Sequence, residues 1–182
     1  MCSSDLEPKG LWCHAVCVAA AARSLARICG LEADEAEQLF VAGLLHDIGK
    51  LVLVASLGEQ RSKAGAVATT EFERAVLGID HAEAGALVTA KWHLSPEVQE
   101  VVKTHHDIGT GQPGKAVAIV RLAEAVAHER GIGYLPGRAP APVVLPADLA
   151  VLALTPESWS SVRDELAATM DGALEALASL GT

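Results

Sequence analysis

The sequence is short of aromatic side chains, short of basic ones, and carries no cysteine after Cys29. Three Trp, two Phe and one Tyr make up 3% of 182 residues, too few for the stacking platforms on which single-stranded nucleic acids lie. Lys and Arg number 14 against 23 Asp and Glu, a formal net charge of −9 with histidine neutral. A nucleic acid polymer is held largely by many Lys and Arg contacts to phosphate, so no such polymer is expected as a partner. Apolar residues form 51% of the chain but are spread along it, without a run of about 18 or more. That supplies a core and leaves no membrane span expected. Ala15–Ala22 carries His14 in front and Arg23 and Arg27 behind, with no cleavage-like region after it, so it is not read as a signal peptide. Cys2, Cys13, Cys17 and Cys29 all lie near the N-terminus and cannot staple the rest of the chain. They are expected to be reduced, and the protein cytoplasmic.

What is abundant is alanine, with short β-branched runs, which favours closely packed helices and an all-α fold. A first helix is expected over residues 11–29, stopped by Gly30, and a second from about Ala33 to His46 and Asp47. Gly49 would let the chain turn into an apolar segment, Leu51–Leu57, and residues 58–69 read as a loop. Thr70 with Glu73 and Asp80 with Glu83 are capping-box pairs for two helices, and Ser95–Pro96 is a cap followed by proline at the first helical position. That helix should reach His105 and His106, and another should cover 116–129. Residues 136–154 read as a Pro- and Ala-rich linker. From Thr155–Pro156 onward, Trp159, Val162, Leu166, Met170, Ala173, Leu174, Leu177 and Leu180 recur every three or four residues, a helix with one apolar face for the body or for a second copy. The organisation expected is a leader at 1–10, a core at 11–135, the linker, and the packed C-terminal helix at 155–182. The opening MCSSDL matches the translation of a common sequencing-adapter end, so residues 1–6 are expected to be non-native, on a truncated gene.

Of the seven histidines, five fall at the ends or starts of predicted helices, one beside Asp47 and two beside each other. Imidazole nitrogens with carboxylate oxygens suit Zn, Fe, Mn or Co better than Ca. Adjacent helix positions diverge by roughly 100°, so His46 and Asp47 reach one ion only if it sits beyond the helix end. For a single histidine, the hydrogen-bonded helix-end imidazole is the commoner role; taken jointly, a metal site is the better account. His93 and His128 read as surface or capping residues, Cys13 and Cys17 as small buried side chains, and Trp12 and Trp92 as core or rim anchors.

LLHDIGK, Leu44–Lys50, resembles the signature of the HD superfamily of metal-dependent phosphohydrolases. The ordered set LWCHAV, LLHDIGKLVL, ERAVLGIDHAEAGALVTAKWHLSPEVQEVVKTHHD and AIVRLAEAVA resembles more closely the HDOD domain, a bacterial signalling relative, from about Leu11 to His128. The resemblance implies an HD-domain helical bundle with one or two divalent transition-metal ions (Fe, Mn, Zn or Co). His14, His46, Asp47 and position 124 would hold one ion, and Asp47, His81, His105 and His106 the other, with Asp47 bridging. Asp47 and Lys50 would be catalytic, Lys50 facing a phosphate oxygen. The family usually has aspartate where this chain has Glu124, whose extra methylene moves the oxygen by roughly an ångström. After the paired histidines the chain reads GTGQPGK, Gly109–Lys115, in place of the GYP-type motif of cyclic di-GMP phosphodiesterases, and that activity is not expected. An HDOD domain is normally preceded by a further helical half, which by this resemblance the chain is expected to lack.

Two functions follow from the resemblance. One is a signalling domain whose metals hydrolyse a small phosphoester or nucleotide. The other is a regulatory module that senses a ligand or contacts other signalling domains or proteins without turnover. A purely structural reading would make the last helix a homodimer element and the histidines incidental.

Overall fold

In the computed structural model, residues 8–57, 70–109, 111–133 and 144–180 are described. They form α1 (Pro8–Ile28), α2 (Ala33–Leu45), α3 (Ile48–Leu57), α4 (Thr70–Leu77), α5 (His81–Lys91), α6 (Pro96–Thr104), α7 (Lys115–Glu129), α8 (Pro146–Val151) and α9 (Pro156–Leu180). The described residues contain no strand, and the fold is all-α.

Local sequence explains most boundaries. The Asp80 side chain accepts from the Glu83 N–H while Glu83 accepts from the Asp80 N–H, a reciprocal cap that starts α5. Ser95 accepts from the Val98 N–H and Pro96 opens α6. Thr155 and Ser158 cap α9 the same way. His93 ends α5 in the left-handed region, φ 55, where a capping residue belongs.

α1 lies at the centre, against α2, α7 and α9, while α5 packs on α3 and α6. Small residues set the spacing. A Cβ on Gly43 would come within 2.9 Å of the Ala19 Cα, so α1 and α2 approach with no side chain between them. Leu25, Ile119, Leu122, Val101 and Val102 are fully buried in the core that results. α9 closes it with Val162, Leu166 and Met170, all buried, so its apolar face is used within the chain.

Several expectations are corrected. The stretch expected as linker, 136–154, contains α8, whose Asp148 is buried against Arg121 of α7 at 3.2 Å; its Pro and Ala content masked a short helix that opens with proline. The rest of that stretch up to residue 143 lies outside the described residues, as do the expected loop at 58–69 and residues 1–7 of the expected leader. α1 begins at Pro8, three residues before the position expected. Cys17 and Cys29 are free thiols, whereas Cys13 is disulfide-bonded; thiol positions along the chain do not reveal which sulfurs folding brings together. Trp12 and Trp92 are more than half exposed, so neither anchors the core. Gly10–Ile28 and Ala33–Ala55 are long and apolar enough to cross a membrane by length and composition, a property that counting uninterrupted runs does not register. Here the first is α1 at the middle of the bundle, and the second is broken at His46–Asp47 by the turn between α2 and α3.

Candidate metal centre

His46 and Asp47 form the turn joining α2 to α3, which puts both side chains beyond the end of α2. Around them, α1 contributes His14, α5 opens with His81, α6 ends at His105 and His106, and α7 contributes Glu124. The donor atoms fall into two groups, His14 with His46 and Glu124, and Asp47 with His81, His105 and His106, all within 4.8 Å of one another inside each group. All seven candidate ligands are therefore brought together. His14, His46, Asp47, His81, His105 and Glu124 are at most 4% exposed, and His106 is part-buried. The longer Glu124 side chain still reaches its place beside His14 and His46.

Asp47 connects the groups with one oxygen to each side. Its Oδ2 lies 3.4 Å from His46 Nε2 and 3.8 Å from His14 Nε2, and its Oδ1 lies 3.3 Å from His81 Nε2 and 3.8 Å from His105 Nε2. Lys50, one turn into α3, sets its ammonium 2.6 Å from Oδ2.

The far nitrogen of four imidazoles is tied down. Nδ1 of His14 donates to the Ile132 carbonyl at 3.1 Å, that of His46 to Gly43 at 2.7 Å and that of His105 to Val102 at 3.0 Å. Nδ1 of His81 donates to a Glu73 carboxylate oxygen at 2.6 Å. Carbonyl and carboxylate oxygens only accept, so each Nδ1 carries a proton and Nε2 is the nitrogen each ring can offer as a lone pair to the interior. This is the arrangement of metal-binding histidines, whose other nitrogen bonds a backbone carbonyl or carboxylate. The consequence is visible where two such atoms meet, at 3.3 Å between His14 and His46, while His106 Nε2 lies at hydrogen-bond distance, 2.9 Å, from His81 Nε2. Between His14 and His46, two facing lone pairs repel unless a cation or a proton lies between them. His105 Nε2 is buried and makes no hydrogen bond, a cost normally met by a ligand. The donor set thus fits borderline divalent ions.

The field of the cluster follows the same logic. Burial pushes the His14 and His106 imidazoles down to about 3, aided by neighbouring imidazoles, and lowers His105 as well. His46 goes the other way: burial would lower it, but Asp47, Glu124 and the Gly43 carbonyl together raise it. Burial would raise Asp47, yet the Lys50 ammonium and the His46 and His105 imidazoles hold it well below the usual carboxylate range. For Glu124, burial is outweighed by His46, His105 and His106, and it falls to about 2. Both carboxylates are therefore anions, ready to bind cations.

The surrounding helices hold these groups in place. Gly49 is required by contact rather than by the turn expected of it: a Cβ there would overlap the His81 carbonyl oxygen and come within 2.7 Å of the Gly85 nitrogen. Gly133, φ +80, passes against the His14 Cβ. Arg121 donates to the carbonyls of Thr104, His105 and Asp107, fixing the end of α6 where the paired histidines project. Sequence reasoning missed two neighbours. Glu73, paired with Thr70 as an expected cap, turns instead to His81. His128, expected as a surface or capping residue, lies in the last turn of α7 with Nε2 3.9 Å from Glu124 Oε1 and its ring edge-on to His14. The i,i+4 spacing of Glu124 and His128 was the available signal.

The HDOD domain profile matches residues 3–108, more than half of the chain. The chain belongs to the HDOD domain family. The matched stretch carries every candidate ligand except Glu124 and stops before α7. An "Uncharacterized protein" of Treponema pallidum (strain Nichols) is 28% identical over 112 residues, 58% of this chain and 22% of the relative. Among solved structures, a "Putative signal transduction protein" from Marinobacter aquaeolei VT8 superposes with a TM-score of 0.73 at 21% identity, over 94% of this chain and 39% of that one. A "Putative phosphohydrolase" from Shewanella amazonensis SB2B gives 0.61 at 21% identity, over 90% and 62%. At these identities the likeness is one of fold. The chain spans about a fifth of the curated relative it matches, and under two thirds of these solved chains.

Proposed function

We propose that this HDOD domain binds two divalent transition-metal ions across Asp47 and, with them, hydrolyses a small phosphoester such as a nucleotide in a signalling role. The observation that carries the reading is the division of labour at Asp47, one carboxylate oxygen toward each of two imidazole groups. His14, His46, Glu124 and Asp47 would hold one ion; Asp47, His81, His105 and His106 the other. A bound ion pair supplies charge for the phosphoryl oxygens and a water acidic enough to attack at neutral pH. Lys50 adds a positive charge beside Asp47 that can offset charge growing on the phosphoryl group. The net charge of −9 disfavours a polyanion at the surface, while bound ions beside Lys50 would favour one small anion.

The test is hydrolysis of bis(p-nitrophenyl) phosphate by the full chain with added Mn. Steady turnover that Asp47→Ala abolishes supports the proposal. A second reading, a metal-dependent regulatory module without turnover, is favoured by the burial of six of the seven ligands to 4% exposure or less. Bound ions without turnover of any phosphoester would select it.

A further inference from the structure

Glu73 lies in α4, outside both donor groups, yet it is 5% exposed. A carboxylate is seldom buried without a partner that needs its charge. Its Oε2 accepts twice from one residue, from the His81 N–H at 2.8 Å and from the His81 Nδ1–H at 2.6 Å. The double contact fixes both the backbone at the start of α5 and the rotation of the ring, leaving Nε2 2.9 Å from His106 Nε2 and 3.3 Å from Asp47 Oδ1. The next residue anchors the same junction: Arg74 reaches Asp80 Oδ2 at 2.6 Å. α4 is thereby locked to the first turn of α5. His81 is the one imidazole among the four whose Nδ1 partner is a side-chain carboxyl oxygen rather than a backbone carbonyl.

We infer that Glu73 is the positioning residue of the second ion site, forming a carboxylate–histidine–metal relay that holds His81 in the Nδ1–H tautomer and makes its Nε2 a stronger donor. The inference rests on the two-ion reading above and adds a residue outside the ligand set. The competing role is a helix cap alone, in which Glu73 serves only the His81 N–H.

The experiment compares the full chain with Glu73→Ala and Glu73→Gln, by Mn titration calorimetry and by ¹⁵N NMR of the histidines after chelation. In Glu73→Ala, the site of His81, His105 and His106 should lose about ten- to hundredfold in affinity, with the His14–His46–Glu124 site unchanged and His81 no longer confined to one tautomer. Should Glu73→Ala fail to fold, Glu73→Gln carries the test, since it keeps an acceptor oxygen and loses the charge: the tautomer should persist while affinity at that one site falls severalfold. A folded variant in which neither site weakens, or in which both weaken equally, overturns the inference. If the unsubstituted chain binds no ion, the two-ion reading fails and takes the inference with it, whereas two ions bound equally well with and without Glu73 overturn the inference alone.

Discussion

At the residue scale, the site depends on atoms that are absent as much as on those present. Gly49 lets α3 pass against the first turn of α5, where a methyl group would overlap the His81 carbonyl oxygen. Backbone cannot yield as a flexible side chain can, so Gly49→Ala is expected to cost about 2–4 kcal/mol in urea unfolding and to weaken the ion site containing His81. Wild-type stability with intact metal binding would refute this. The sequence exposed this position only as part of LLHDIGK, and its expected role, easing a turn, was a different one. Packing between helices 30 residues apart leaves no mark on local pattern. Glu73 and His128 escaped for the same reason: each has an obvious local use, cap or helix face, and the tertiary partner overrides it.

At the element scale, helix starts were readable because caps are local chemistry. Asp80 with Glu83, Ser95 with Pro96 and Thr155 with Pro156 each open a helix where the sequence places one. α8 was not readable, because a six-residue helix carries too few turns to show a period. Its function in the fold is to bring Asp148 to Arg121, which in turn ties the last carbonyls of α6. Arg121→Ala removes three carbonyl contacts and leaves Asp148 buried without its cation. It should therefore destabilise the chain and weaken cation binding by His105 and His106 more than binding by His14 and His46. Two equal losses in a titration would contradict that ordering. α9 contributes to the core through the burial of Val162, Leu166 and Met170: Leu166→Ala should cost about 2–5 kcal/mol and leave metal stoichiometry in the folded fraction unchanged.

At the scale of the whole molecule, six helices deliver buried donors to one place, and that convergence makes the fold sensitive to acid. In the chelated chain, His14 and His106 titrate near 3 when folded, against about 6.5 when unfolded. Between those values the unfolded chain binds more protons, so stability falls as pH drops through that window. His105 and His128 are lowered and act in the same direction, while His46 is raised and opposes them. The depressed carboxylates of Asp47 and Glu124 stabilise the fold above their unfolded range, and that contribution is lost toward pH 2. The urea midpoint should thus be lower at pH 5 than at pH 7, and bound cations, competing with protons for the same nitrogens, should widen the gap. An equal midpoint at both values would contradict this. The all-α class was legible in the alanine-rich, aromatic-poor composition, and the candidate ligands that the fold brings together were legible because the resemblance carries them in order from His14 to Glu124.

The central claim is that Asp47 joins two cation sites, and elemental analysis of the purified full chain tests it directly. The account predicts about two divalent transition-metal ions per chain, falling to at most a trace in Asp47→Ala that remains folded. A native chain without such ions, or a content that Asp47→Ala leaves unchanged, would contradict it.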